Sequence, residues 1–210
     1  MTENDLLDDI DYIKSIAEDG QQAALVGGRI GLMWGLLMAV IFFVQWGILS
    51  KTFNIAPEKL LYFWLAFAVI GGVGSMILGR RVSKLAGANS VANKVDNYVW
   101  VMFAAMMITL FVGIILKMLL TGGSPALFDI MLPVGFAGQG LAYGLMGHLS
   151  GQKWMRLTAL VNFIVSAICF VAYGETHIYL IGAIGILLTV VVPSLIIMRA
   201  EPRPEAHHAV

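Results

Sequence analysis

Long apolar runs alternate with short polar connections through most of this chain. The runs are Ile30 to Leu49, Leu60 to Gly79, Tyr98 to Leu120, Ala126 to Met146, Leu157 to Tyr173 and Ile178 to Met198. Most approach the roughly 20 residues with which a helix crosses about 30 Å of hydrocarbon. Backbone groups in a bilayer must be satisfied within the protein, which leaves helices as the option for such segments. The pattern therefore predicts an all-α polytopic membrane protein, a six-transmembrane-helix bundle. The fifth run is short and the fourth holds Pro133 near one end, so their boundaries are the least defined.

Ahead of these runs the periodicity changes. From Thr2 to Gln22, Leu6, Ile10, Ile13 and Ala17 recur at helical spacing, opposite a face with seven acids and one lysine, Lys14. This predicts an N-terminal amphipathic cytoplasmic helix. Helices that adsorb to anionic lipid carry lysine and arginine on the polar face, so docking on protein is expected instead. The acidic start also excludes a secretory signal. Three regions result: 1–28 as the acidic helix, 29–199 as the transmembrane domain and 200–210 as a short cytoplasmic tail.

Charge adds an orientation. With the N-terminus inside, ten of the thirteen lysines and arginines fall on the cytoplasmic side, leaving Lys51, Lys59 and Lys117 outside. That bias places both termini in the cytoplasm. The loop from Arg80 to Asn97 holds four bases, Arg80 and Arg81 among them, against one acid. It is a docking surface for Leu6, Ile10 and Ile13 of the acidic helix, or for anionic headgroups. Hydrophobic residues make up 59% of the chain and charged ones 12%, against roughly 45–50% and about 25% in soluble domains. No polar stretch is long enough for a soluble catalytic domain. A net charge of zero gives no reason to expect nucleic acid.

Small residues stripe most runs. Gly140, Gly144, Gly147 and Gly151 recur on one side of the fourth, as do Gly27, Gly31 and Gly35 in the first, Gly71, Ser75 and Gly79 in the second, and Ala105, Thr109 and Gly113 in the third. Such stripes let helices approach closely. Gln139 and Tyr143 lie beside the fourth stripe, and Asn162 and Ser166 share a face of the fifth run. These four are the candidate lining of a polar path; the simpler reading is interhelical hydrogen bonding. The spans are read as free of aspartate and glutamate, which argues against a proton- or cation-coupled carrier. No nucleophile stands beside a plausible base, and the histidines lack ligand spacing, with His177 and Glu175 the nearest pair. Catalytic residues, cofactor and metal are therefore all expected to be none.

The stretches AEDGQQAALVGGRIGLMWG and LGRRVSKLAGANSVANKVDN resemble a group of uncharacterised bacterial integral membrane proteins with a GGR-x4-WG start and a Gly/Ser/Asn-containing basic loop. The likeness covers about the first half of the chain. It implies location in the bacterial inner membrane and topology, and it transfers no catalytic residue. The combined expectation is a non-enzymatic scaffold or regulatory protein in the lipid bilayer that docks a cytoplasmic protein partner, or joins a homo-oligomer or larger membrane complex. The alternative is a small-molecule carrier or channel lined by Gln139, Tyr143, Asn162 and Ser166.

Overall fold

The computed structural model describes residues 24–201, and the acidic segment with Leu6, Ile10 and Ile13, like residues 202–210, lies outside that range. Six spans are present, each long and apolar enough to cross a membrane. Helix α1 is Gly28–Leu49, α2 Leu60–Val82, α3 Val91–Thr121, α4 Met131–Leu149, α5 Lys153–Val171 and α6 His177–Ala200. Short 3-10 segments, Pro57–Lys59 and Pro125–Ile130, lead into α2 and α4. No strand occurs among the described residues. The protein is an all-α bundle, as the apolar runs predict.

Local chemistry accounts for the boundaries. Ser90 starts α3 by accepting the Asn93 N–H at 3.3 Å, and Ser124 followed by Pro125 opens the turn before α4. Gly122 (φ 70°) and Gly151 (φ 69°) end α3 and α4 in left-handed backbone, where a side chain is disfavoured. Pro133 does not break α4: it sits in the first turn, where a missing N–H costs least, and its side chain is fully buried. In α6, Pro193 has no N–H to return to residue 189. The helix accommodates this with one wide turn, Leu187–Val191, just before it.

The six helices are unequal. α1, α4, α5 and α6 supply nearly all of a core built from Phe42, Leu132, Phe136, Val165, Cys169, Ile178 and Ile186 among others. By contrast α2 buries only Gly71, and α3 only Ala92, Asn93 and Ile114. α2 attaches to α1 through two indole hydrogen bonds, Trp34 Nε1 to Ser75 Oγ (2.8 Å) and Trp64 Nε1 to Gln45 Oε1 (2.9 Å). α3 leans on α4.

Glycine stripes decide the core pairings. A Cβ at Gly140 would meet the Phe163 ring at 2.8 Å, and one at Gly147 would meet Met155 Cβ at 2.9 Å and the Arg156 backbone N at 3.0 Å. Gly144 has more room, 3.6 Å to Ala159 Cβ. Gly31 faces Ser194 Oγ, and a Cβ at Gly35 would meet the Val191 side chain at 2.8 Å, so this stripe seats α1 on α6. Other members of the expected stripes do not pack. Cβ atoms at Gly27, Gly79, Gly113 or Gly151 would meet nothing within 4 Å. Gly27 and Gly151 serve backbone turns instead, while Gly79 is half-buried near the end of α2 and Gly113 is exposed on α3.

Candidate functional site

Polar side chains gather at three levels of the bundle. The middle level contains the residues expected to line a path. Asn162 is fully buried; its Nδ2 donates to Thr158 O one turn back on α5 (3.0 Å), and its Oδ1 has no donor. Gln139 on α4 is likewise buried with Oε1 unpartnered. Ser166 Oγ donates across the interface to Pro133 O at 2.7 Å. Tyr143 turns the other way, edge-on to Trp100 of α3 with centroids 5.4 Å apart, within a second cluster around Met146 and Met155.

Tyr143 and Ser166 thus face different partners, Trp100 of α3 and the Pro133 carbonyl of α4. Phe163 closes over Gly140, and Phe136 and Val165 close over Gly185, so aromatic and aliphatic packing fills the junction. The interhelical bond comes from Ser166, whereas the Asn162 amide bonds within its own helix. A buried acceptor without a donor destabilises, and replacing it with an apolar group of similar shape is close to neutral or favourable. Asn162→Leu is therefore expected to hold or raise the melting temperature in detergent. Ser166→Ala should lower stability by about 0.5–1.5 kcal/mol. A drop for Asn162→Leu as large as that for Ser166→Ala would show that the Asn162 carbonyl has a partner in the membrane.

At the far end, opposite the basic loop, lies a group that the sequence pattern did not single out. Asp129, in the turn before α4, is buried and accepts a hydrogen bond from the Tyr179 hydroxyl of α6. Gln45 of α1 accepts from Trp64 of α2. The Asp129–Tyr179 bond ties the start of the fourth span to α6. It corrects the reading that the spans carry no carboxylate: Asp129 falls inside the fourth run's own bounds, Ala126 to Met146. Among the described residues, no lysine or arginine pairs with it.

At the basic end the chain ahead of α1 is held from two sides. Asn93 Oδ1 accepts the Val26 N–H (2.9 Å), while Nδ2 donates to Ala24 O (3.0 Å) and Gly87 O (3.0 Å). Glu201 Oε1 accepts the N–H groups of Gly27 (3.0 Å) and Gly28 (2.9 Å), with Arg29 Nε 3.8 Å from Oε2. A carboxylate at a helix N-terminus satisfies orphan donors and complements the helix dipole. Arg80 and Arg81, in the last turn of α2, remain exposed beside this clamp's loop. Comparison with protein-family models, with curated proteins and with solved structures gave no match. Among the described residues no three His, Cys, Asp or Glu side chains come together.

Proposed function

We propose that this chain is a non-enzymatic scaffold or regulatory protein of a bacterial inner membrane, with both termini in the cytoplasm, that presents its acidic N-terminal segment to a cytoplasmic protein partner or a larger membrane complex. The observation that carries this reading is the clamp on Ala24 to Gly28. Asn93 and Glu201 hold the stretch from Ala24 to Gly28, immediately after the acidic segment, with Leu25 buried. Side chains from α3 and from the end of α6 thus give the preceding segment a fixed origin from which to meet a partner. The filled junction around Gly140 and Gly185 favours this reading over a lined path. A photoreactive side chain at Ile10, activated in membranes, is expected to cross-link to a second protein, and Ile10→Asp to abolish an equivalent cross-link from Leu6. Cross-links confined to lipid or to this chain's own loops would overturn the proposal.

A carrier is the second reading. It is favoured by Asp129, a buried carboxylate with no cationic partner among the described residues, since ionisable groups within membranes commonly mark ion or proton routes.

A further inference from the structure

Between α3 and the start of the fourth span a cleft of about 420 Å³ opens on the membrane-facing side, lined by Thr109, Leu110, Gly113, Ile114, Leu127 and Ile130, with Lys117 at one end. Thr109, Gly113 and Lys117 are successive fourth residues on one helix face. The floor is open because Gly113 has no side chain and a Cβ there would meet nothing within 4 Å. The walls are aliphatic. Lys117 is exposed and steadied by donating from Nζ to Thr121 Oγ1 (3.2 Å), and among the described residues no carboxylate pairs with it.

The depth of Lys117 follows from the sequence of α3. No charged residue lies between Asp96 and Lys117. At 1.5 Å per residue these two are about 31 Å apart along the helix, which matches the hydrocarbon thickness of a bilayer. Lys117 therefore stands at headgroup level while the cleft runs below it into the acyl region. A concave apolar surface at that depth is filled by whatever the bilayer supplies, and the ammonium selects by charge. We propose that this cleft is a binding site for one anionic phospholipid, with an acyl chain over Gly113 and the phosphate at Lys117.

The test is native mass spectrometry of the full chain in detergent, equilibrated with equal amounts of phosphatidylglycerol and phosphatidylcholine. The wild type is expected to retain one phosphatidylglycerol with about fivefold preference, the effect of one lysine near a lipid surface. Lys117→Gln should equalise the two lipids without loss of bound lipid, Lys117→Arg should keep the preference, and Gly113→Leu should lose the adduct by filling the floor. Because Lys117 is exposed, its replacement leaves folding intact. Equal retention by the wild type, an unchanged preference in Lys117→Gln, or a lipid-free dimer that Gly113→Leu disrupts would each overturn the proposal.

Discussion

Gly28→Leu is expected to be among the most destabilising single substitutions in the transmembrane domain. A Cβ at Gly28 would lie 2.7 Å from both the Met198 backbone N and the Ser194 carbonyl O, so the obstacle is backbone on α6. Relief requires the helices to separate, which also pulls Gly31 and Gly35 off Ser194 and Val191 and withdraws the Gly28 N–H from Glu201. Overpacking of this kind costs about 1–3 kcal/mol or more, a fall of roughly 2–12 °C in melting temperature for a chain of this length. Two controls bracket it. Gly144→Ala reaches ordinary contact at 3.6 Å from Ala159, and Gly113→Ala meets nothing, so both should melt within a degree or two of the wild type. Thermal unfolding in detergent, followed by tryptophan fluorescence, reads all three. A wild-type transition for Gly28→Leu would mean that α1 and α6 are not in backbone contact.

The second large effect concerns Asp129 and Tyr179. Asp129→Ala removes the acceptor from a buried hydroxyl, and Tyr179→Phe removes the donor from a buried carboxylate. Each should cost about 1–3 kcal/mol, because an orphaned buried polar group loses solvation without compensation. The double variant should be less destabilised than the two single losses combined, with a coupling of about 0.5–3 kcal/mol. Strict additivity would show that the two groups do not interact. The same variants bear on the carrier reading, since a network that only ties α6 to the fourth span would leave ion flux in proteoliposomes unchanged.

The spans were legible in the sequence because a bilayer imposes length and apolarity on each helix alone. α1 begins within two residues of the expected Ile30, and α6 ends within two of Met198. The peripheral rank of α2 and α3 was not legible. A residue facing lipid and one facing another helix are equally apolar, so nothing in their composition marks α2 and α3 as peripheral. The same ambiguity explains why Gly140 and Gly147 pack while Gly79 and Gly113 do not: a stripe shows where approach is permitted, and the partner's position decides whether it happens. Ser166 and Asn162 shared a face as their spacing implied. Which of them reached across depended on the Pro133 carbonyl, on another helix. Neither the Asn93 contact to Val26 nor the Glu201 contact to Gly27 could be read from local pattern, since each joins distant parts of the chain.

That last contact carries a consequence for biogenesis. Residues 27 and 201 are 174 positions apart, so the first span enters the membrane with its leading amides uncapped and keeps them so throughout synthesis of the other five. Only when residue 201 has emerged can its carboxylate reach them, making closure of this ring a late event in assembly. Until then the leading amides of α1 lack this carboxylate as an acceptor from their own chain and are left to solvent.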